Sequence, residues 1–397
     1  MKILVLSFYF APDLSAGSFR ASALVRALAR RLAPGDTIEV VTTRPNRYQS
    51  FHVDVGVAAV EVDGAVTVHR VSLPPHQSGM LDQSRAFLTF QRDARRLVSG
   101  RRYDVVVATS SRLMTAVLGS WIARRAQAPL YLDLRDIFVD TIKDVLPGVR
   151  GQLARIGFGV MERYAVGRAA AVNLVSHGFA PYFKARYPGR RFSFFSNGID
   201  HEFLAAGVLA PRAPRPSGAL PEVLYAGNLG EGQGMHEIIP ALAKALTGRA
   251  RFTIIGDGGR RALLASRLAE QGVDNVVLKP PVDRPALIEA YRQADVLFLH
   301  LNDHEAFRKV LPSKLFEYAA TGKPILAGVA GHAAQFMREQ VSNIGVFAPC
   351  DASAAVAAFG ALDLACRARD AFASRYSRES ISAGLADDVL SLVPTRG

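Results

Sequence analysis

"EVLYAGNLGEGQGMHEIIPALAKALTGRARFTIIGDGG", residues 222–259, holds two apolar runs, and a cluster of glycines follows each of them. Short apolar runs bounded by glycines are typical of buried strands, whereas the apolar spacing over 235–247 predicts a helix. A strand, a glycine-rich loop, a helix and a second strand form the repeating unit of a parallel α/β sheet. The stretch therefore predicts an α/β fold.

The same alternation of strands and helices continues on both sides of this stretch. Before it, strands are predicted in KILVLSFYF, TIEVVTT, VTVHRVSL, YDVVVATS, PLYLDLRD and AAVNLVS, and helices at 18–32, 84–98, 112–126 and 151–169. After it, strands are predicted in NVVLKPP, DVLFLHL, PILAGV and IGVFAP, and helices at 260–271, 284–293 and 313–321. Such continuous runs of Val, Ile and Leu indicate parallel strands that are buried on both faces.

The length of 397 residues predicts two domains, connected through the Pro- and Gly-rich segment NGIDHEFLAAGVLAPRAPRPSGALPE. We expect one Rossmann-like domain at 1–200 and a second at 201–376, with a C-terminal helix at 377–397 that packs back onto the first. Two doubly wound domains of this kind bind ligands in a cleft beyond the carboxyl ends of their strands. The two cysteines have no metal-ligand spacing, which favours a reducing, cytosolic setting without structural zinc.

The excess of positive charge lies in the first half of the chain. Residues 1–200 hold 27 Lys and Arg against 15 Asp and Glu, a net charge of +12, whereas residues 201–397 hold 21 against 20, or +1. A basic surface of this kind favours a polyanionic partner, either nucleic acid or an anionic membrane. Because no nucleic-acid-binding motif is present, we expect no nucleic acid and favour the membrane.

A membrane-facing segment is harder to assign than the charge. The basic helix at 84–98 carries apolar residues at 87, 90, 94 and 97, a spacing that fits a core-facing stripe better than membrane contact. The segment 145–160, VLPGVRGQLARIGFGV, is an alternative membrane-facing edge. No stretch approaches the roughly 20 apolar residues that cross a bilayer, and the opening MKILVLSFYFAP fits a first strand better than a signal peptide.

Two glycine-rich loops follow strands of the second half, one with Gly227 and its successors and one with Gly256 and Gly258. Free backbone N–H groups at such strand-to-helix turns favour phosphate, although each loop alone is equally a tight turn. Neither loop matches the dinucleotide fingerprint or a P-loop, which disfavours NAD and ATP hydrolysis. The two loops together predict a phosphate-bearing ligand.

The stretch KVLPSKLFEYAATGKPIL, residues 309–326, adds a carboxylate to this half. Ser313 is a candidate N-cap, and Glu317 falls in the second turn of the helix that follows. A carboxylate there can accept two hydrogen bonds from the vicinal diol of a ribose while the entry residues face a phosphate. An ordinary glutamate that balances the helix dipole is the open alternative.

The first half contributes two further candidate segments. YLDLRDIFVD places Arg135 and Asp136 at the end of a strand, as ligand-facing side chains or as a structural pair. Asp133 and Asp136 are separated by two residues, so they do not form the DxD pattern of a metal-dependent sugar-nucleotide site, and no metal is expected. In APDLSAGSFR, small residues including Gly17 allow a close backbone approach, and Arg20 lies one turn into the next helix.

With these residues in view, the chain resembles the retaining GT4 glycosyltransferases of the GT-B fold, and among them the N-acetylfucosaminyltransferase-like proteins of bacterial surface polysaccharide synthesis. The motifs that carry the resemblance occur in the expected order over nearly the whole chain: YFAPDLSAGSFRASALVRAL, DLRDIFVD, FSNGIDHEF, LYAGNLGEGQG, IIGDG, YRQADVLFLHL and LPSKLFEYAATGKPIL.

The resemblance implies a metal-independent, retaining transfer of a hexosyl or N-acetylhexosaminyl group from a nucleotide sugar, expected to be UDP-linked, without a cofactor. It places the acceptor on the first domain and the donor on the second. Glu317 matches the ribose-binding glutamate, and Asp136 stands where a catalytic histidine is common. The other residues expected to bind the nucleotide sugar are Gly17, Arg20, Gly227, Asn228, Gln233, Gly256, Gly258, Val282, Pro312, Ser313 and Lys314.

Three positions depart from the family pattern. Lys309 stands where the first signature glutamate is usual, and Asn228 and Gln233 replace a basic pair. Lys309, Lys314 or Arg20 is therefore expected to supply the positive charge that stabilises the leaving diphosphate, with Lys309 counted among the catalytic candidates beside Asp136 and Glu317.

The expected acceptor is a glycan, or a glycan linked to polyprenyl diphosphate, at the inner face of the cytoplasmic membrane. Two alternatives stay open. A UDP-sugar 2-epimerase of the same fold needs acid–base carboxylates and histidines that converge in the cleft, and none of the nine histidines has a convincing position at a strand end of the second domain. A non-catalytic partner subunit would account for the missing glutamate and basic pair.

Overall fold

The structure, a computed structural model, describes residues 1–13, 15–45, 59–74, 80–110, 112–139, 148–209 and 218–393. It divides into two compact units. The first consists of Met1–Asn197 together with Arg378–Gly397, and the second of Gly198–Ser377. The chain therefore crosses from the first unit to the second and returns at its C-terminal end.

An eight-stranded sheet forms the centre of the first unit. Its strands are β1 (Lys2–Ser7), β2 (Thr37–Thr43), β3 (Val60–Asp63), β4 (Val66–Val71), β5 (Val105–Ser110), β6 (Leu130–Leu134), β7 (Ala171–Leu174) and β8 (Arg191–Ser193). Their order is β3-β4-β2-β1-β5-β6-β7-β8, and neighbours run parallel except for β3 and β4. The parallel sheet predicted from the apolar runs is confirmed.

The second unit contains a six-stranded, wholly parallel sheet. Its strands are β9 (Glu222–Ala226), β10 (Arg251–Ile255), β11 (Val276–Lys279), β12 (Val296–His300), β13 (Ile325–Gly328) and β14 (Ile344–Phe347). Their order is β11-β10-β9-β12-β13-β14. Val223 and Tyr225 of β9 belong to one apolar core, and Leu224 and Ala226 to another, so both faces of this strand are covered.

Helices connect the strands of both sheets. In the first unit they are α1 (Ala16–Ala29), α2 (Met80–Val98), α3 (Leu113–Ala126), α4 (Gly148–Val166) and α5 (Ala180–Arg186). In the second they are α6 (His201–Ala206), α7 (Met235–Ala245), α8 (Arg261–Glu270), α9 (Arg284–Gln293), α10 (Lys314–Ala320), α11 (Gly331–Gln340), α12 (Ala352–Gly360) and α13 (Asp370–Arg375), after which α14 (Arg378–Leu390) returns to the first unit.

Each sheet has a point at which the winding direction reverses. In the first unit β1 lies between β2 and β5, and in the second β9 lies between β10 and β12. Loops that leave the carboxyl ends of such neighbouring strands diverge to opposite faces, and the crevice between them is where doubly wound sheets bind ligands. The topology therefore selects the loops after β1 and β5, and those after β9 and β12.

In the first unit, one strand was not predicted, and the burial of α2 decides between the two alternatives for its apolar stripe. β3 was not predicted, because all four of its residues are exposed and it lacks the alternation of a half-buried strand; it adds an antiparallel edge to the sheet. In α2, Phe87 and Phe90 are buried and their ring centroids lie 6.1 and 5.3 Å from that of Phe8. The apolar stripe of this helix therefore faces the core, and the membrane alternative for it is wrong.

The C-terminal helix α14 lies against α1 in the first unit. Arg31 donates hydrogen bonds of 3.0 Å to the Asp387 carboxylate and of 3.0 Å to the Ala383 carbonyl. Of the alternative membrane-facing edge at 145–160, residues 145–147 lie outside the described residues; within α4, Ile156 and Val160 are exposed. No helix in the described ranges is long and apolar enough to span a bilayer.

Candidate active site

Glu317, the fourth residue of α10, carries the carboxylate of the candidate site. Its Oε2 atom accepts a hydrogen bond of 3.3 Å from the Tyr291 hydroxyl and one of 3.5 Å from the Lys314 ammonium group. The Arg284 guanidinium lies 4.0 Å from Oε1. All of these contacts are long, and 13% of the side chain is exposed, so the carboxylate keeps lone pairs available to a ligand.

Tyr291 and Arg284 support Glu317 and were not among the predicted site residues. Tyr291 is fully buried, and desolvation raises the pKa of its hydroxyl well above the ordinary value, so the group remains a hydrogen-bond donor. Arg284 also binds Asp200 at 2.9 Å. Because these two residues are seven apart on α9, two helical turns place them on one face, and this spacing is the signal that could have identified them.

Lys314 links α10 to the first glycine-rich loop. A Cβ atom added to Gly227 would lie 2.7 Å from Cε of Lys314, so the lysine side chain passes directly over this glycine. The lysine is only partly buried, which leaves its ammonium group accessible. The structure thus brings Glu317, Lys314 and Gly227 together, as the sequence predicted for a ribose followed by a phosphate.

The two glycine-rich loops are hydrogen-bonded to each other. The Leu229 N–H donates to the Asp257 carbonyl at 2.8 Å, and the Arg260 N–H donates to the Leu229 carbonyl at 2.8 Å. Gly258, with a φ of +155°, is required here, because a Cβ at this position would lie 2.7 Å from the Leu229 oxygen. The loops after β9 and β10 therefore form one surface.

Asn228 and Gln233, which replace the basic pair of the family, are bonded to each other. The Asn228 amide donates to Oε1 of Gln233 at 2.8 Å, and the same oxygen accepts a hydrogen bond of 3.3 Å from the Gly230 N–H. The two amides close the turn that leads into α7 and bring no charge. Lys314 places a cation over Gly227 of this loop.

His300 corrects the prediction that no histidine occupies a strand end of the second domain, because it is the last residue of β12. It lies in the interior, and desolvation lowers the pKa of its ring to about 4. Nδ1 donates to the Gln233 carbonyl at 2.8 Å, and Nε2 accepts from the Cys350 N–H at 3.0 Å. Nδ1 thus holds the loop before α7 and Nε2 holds the segment between β14 and α12, so neither ring nitrogen is left for acid–base chemistry.

Arg20 does not lie where the prediction of a phosphate-binding cation requires. It is 3% exposed and forms two hydrogen bonds of 2.8 Å with Asp133, a carboxylate with no exposure at all. Two further N–H groups of the guanidinium donate to the carbonyls of Phe195 and Ser196 at 2.9 and 2.5 Å. Arg20 therefore fixes the segment that ends the first unit, and Asp133 remains ionised because the pKa of its carboxyl is lowered by Arg20 and Asn173 against the opposing effect of burial.

The other predicted residues lie at loop ends or helix starts. Ser313 precedes α10 with a helical backbone, φ −61° and ψ −32°, so its hydroxyl makes no capping bond and the predicted side-chain cap is wrong. Lys309 ends a 3₁₀ turn, Glu305–Lys309, shortly before Pro312. Val282 is 39% exposed between β11 and α9, and Gly256 begins the loop after β10.

Gly17 and Asp136 belong to the first unit. Gly17 is the second residue of α1. Asp136 follows β6 by two positions, is half-buried, and its Oδ1 accepts a hydrogen bond of 2.9 Å from the Ile137 N–H. Asp136 therefore lies just beyond the carboxyl end of β6, as predicted, whereas Gly17 belongs to the first turn of α1 and not to the loop before it. Among the described residues, no cluster of three or more His, Cys, Asp or Glu could hold a metal ion.

Two family models match the chain in succession. Residues 17–198 match the glycosyl transferase 4-like domain, and residues 220–362 match the glycosyl transferases group 1 domain. The chain belongs to the GT4 glycosyltransferases. The first match covers most of the first unit of this glycosyltransferase, and the second match lies within the second unit. The predicted family is confirmed.

Known proteins similar to this glycosyltransferase agree in architecture. Over 340 residues it is 27% identical to WcaI of Escherichia coli (strain K12), which is provisionally named a colanic acid biosynthesis glycosyl transferase; the match covers 81% of this chain and 82% of WcaI. Sucrose-phosphate synthase from Thermosynechococcus elongatus superposes with a TM-score of 0.73 at 16% identity, covering 99% of each chain. HepE of Anabaena, solved with UDP and glucose, gives 0.66 at 16% identity over 98% of this chain and 100% of its own. These likenesses confirm the GT-B fold.

Proposed function

We propose that this glycosyltransferase transfers a sugar from a UDP-linked donor to a lipid-linked glycan, with retention of configuration, in the synthesis of a bacterial surface polysaccharide. The name of WcaI supports the pathway class, and the UDP bound by HepE supports the donor class. The donor is assigned to the second unit. Hexosyl and N-acetylhexosaminyl groups are the candidate sugars.

The observation that carries the proposal is the arrangement around Glu317. A carboxylate with free lone pairs accepts two hydrogen bonds from a vicinal diol, and the ribose of a nucleotide offers that diol. Lys314 stands between this carboxylate and the loop at Gly227, where a phosphate attached to the same ribose would lie. A nucleoside diphosphate therefore satisfies both ends of the arrangement.

The proposed chemistry places the positive charge where the leaving group develops negative charge. As the bond from the sugar to the diphosphate breaks, Lys314 stabilises the departing phosphate oxygen, and Lys309 is the second candidate. The acceptor hydroxyl attacks from the face that the diphosphate leaves, and its proton passes to the leaving oxygen. Retention follows without a dedicated base, while Asp136 orients the sugar or the acceptor.

Metal independence and membrane attachment are part of the same proposal. Lys314 supplies a charge that a divalent ion provides in metal-dependent transferases. The basic first half of the chain, with its net charge of +12, is proposed to hold the enzyme on the anionic inner face of the cytoplasmic membrane. The acceptor would be presented at that surface.

One observation favours a second candidate, a non-catalytic partner subunit. Asn228 and Gln233 bond to each other and bring no cation, and the first signature glutamate is replaced by Lys309. Such a subunit would retain the fold without turnover. Both candidates predict a folded two-unit protein, but a partner subunit is expected to have little or no affinity for a nucleotide, so turnover and UDP binding separate them.

The test is release of UDP from UDP-glucose, UDP-galactose and UDP-N-acetylglucosamine by the full chain, with a membrane extract as acceptor and with EDTA present. We expect release from at least one donor, unaffected by EDTA, and a product whose anomeric configuration by NMR equals that of the donor. Inversion would refute retention, and loss of activity in EDTA would refute metal independence. No release from any donor would favour the partner subunit.

A further inference from the structure

Arg112 lies at the carboxyl end of β5, where aromatic side chains from the loop after β1 hold its guanidinium. The guanidinium carbon is 4.4 Å from the centroid of the Phe8 ring and 5.9 Å from that of Tyr9. Nη2 donates a hydrogen bond of 3.1 Å to the Tyr9 hydroxyl. Phe8 and Tyr9 are themselves buried, so the cation has a fixed position at the reversal point of the first sheet.

Arg112 differs in its partners from Arg20, which lies in the same unit. Arg20 is neutralised by Asp133, whereas within the described ranges Arg112 forms no ion pair with a carboxylate. A half-buried guanidinium keeps its charge and presents a planar fork of N–H donors, of which one is used by Tyr9. The remaining donors suit an oxyanion that arrives with a ligand.

A second guanidinium approaches the same place from the other side of Tyr9. A Cβ atom added to Gly17 would lie 2.6 Å from Nη1 of Arg135 and 3.7 Å from Cδ2 of Tyr9. Arg112, Tyr9, Gly17 and Arg135 therefore follow one another in contact across the carboxyl ends of β1, β5 and β6. The absence of a side chain at Gly17 is what allows the Arg135 guanidinium to lie against this backbone.

We propose that these residues form a subsite for the diphosphate of the acceptor, with Arg112 as the principal ligand and Arg135 beside it. A diphosphate offers two adjacent anionic groups, one for each guanidinium, and bidentate arginine–phosphate pairs are among the strongest charged hydrogen bonds in proteins. The unit that carries the subsite also carries nearly all of the excess positive charge. The inference rests on the proposed function and assigns the acceptor to a lipid diphosphate.

The subsite can be tested by calorimetry on the full chain with three probes: farnesyl diphosphate, uncharged farnesol and UDP. The variants are Arg112→Met, Arg112→Lys and, as a matched control, Arg124→Met, which removes an exposed arginine from the same helix. We expect farnesyl diphosphate to bind the wild type and to lose about tenfold or more in affinity in Arg112→Met. Arg112→Lys should fall between the two, because it keeps the charge without the fork.

The control probes and variants decide between sources of the anion. Arg124→Met should bind farnesyl diphosphate as the wild type does, farnesol should bind the wild type and Arg112→Met equally, and UDP should bind Arg112→Met unchanged. A parallel loss of UDP affinity would overturn the proposal, because the cation would then serve the donor diphosphate. It is also overturned if farnesyl diphosphate does not bind the wild type or binds all variants equally. Failure of these tests with UDP binding intact would leave the proposed transferase function standing.

Discussion

Glu317 in the second unit and Asp133 in the first are both carboxylates beside an arginine, and the structure separates them by distance and burial. Asp133 is completely buried and held by Arg20 through two bonds of 2.8 Å. Glu317 is partly exposed, and its three supporting groups lie at 3.3–4.0 Å. Short, buried contacts occupy the lone pairs of a carboxylate, whereas long contacts orient a partly exposed carboxylate and leave lone pairs available to a ligand.

The same contrast holds for the cations at the two sheet reversal points. In the first unit, four of the five N–H groups of the Arg20 guanidinium bind Asp133 and two backbone carbonyls. In the second, Lys314 reaches Glu317 only at 3.5 Å and its side chain lies over Gly227. Motif matching alone named both Arg20 and Lys314 as candidate phosphate ligands, so the comparison separates a residue of the framework from a residue of the site.

The largest expected effect is a loss of stability when Arg20, the structural arginine of the first unit, is replaced. Replacing Arg20 by Met leaves Asp133 as an unpaired buried charge, which should cost about 3–5 kcal/mol of unfolding free energy. Urea denaturation measures this loss, and Arg26→Met, an exposed arginine of the same helix, is the control with little change expected. Unchanged stability together with weakened UDP binding would instead restore Arg20 to the binding site.

Replacing Lys314 by Met tests the site side. Because the lysine is proposed to stabilise the leaving diphosphate, kcat should fall about 100-fold while the unfolding free energy changes little. Lys244→Met, an exposed lysine at the end of α7, serves as the matched control. A wild-type kcat in Lys314→Met would show that Lys314 does not stabilise the leaving diphosphate, and the proposed difference between Lys314 and Arg20 would be wrong.

His300, a buried histidine of the second unit, predicts a pH effect on stability. The pKa of His300 is lowered to about 4 in the folded protein, so below the unfolded value of about 6.5 the unfolded chain binds the extra proton. Unfolding free energy should therefore fall by about 2 kcal/mol from pH 7.5 to pH 5, with no contribution from this residue above pH 7.5. Urea denaturation of His300→Asn should show a shallower decline over this range. An identical slope in wild type and variant would show that the ring is not held neutral.

A smaller effect is expected from removing one hydroxyl. Tyr291→Phe removes one of the hydrogen bonds to Glu317. The KM for the nucleotide sugar should rise about tenfold with kcat unchanged, because the carboxylate loses orientation without losing charge. Tyr187→Phe is the counterpart in the first unit, since that hydroxyl donates to Glu162 at 2.9 Å. It should lower stability and leave the donor KM alone. Equal KM values in the two variants would remove Tyr291 from the site.

Motifs predicted the strand-and-helix order, the family and Glu317 because these depend on local patterns. The pairing of Arg20 with Asp133 spans 113 residues and needs the folded sheet to appear. Strand β3 escaped prediction because all of its residues face solvent, so periodicity gives no signal. His300 was passed over because its sequence position at the end of DVLFLHL reads as an ordinary apolar strand, although it is the residue that fixes the loop at Gln233.

Calorimetric titration of UDP without added metal shows whether the second unit binds a UDP-linked donor through Glu317. We predict that UDP binds the wild type and Glu339→Ala, an exposed glutamate on α11, with equal affinity. Glu317→Ala should bind about 30-fold or more weakly, since two charged hydrogen bonds to the ribose are lost. Equal UDP affinity in Glu317→Ala and the wild type would contradict the account.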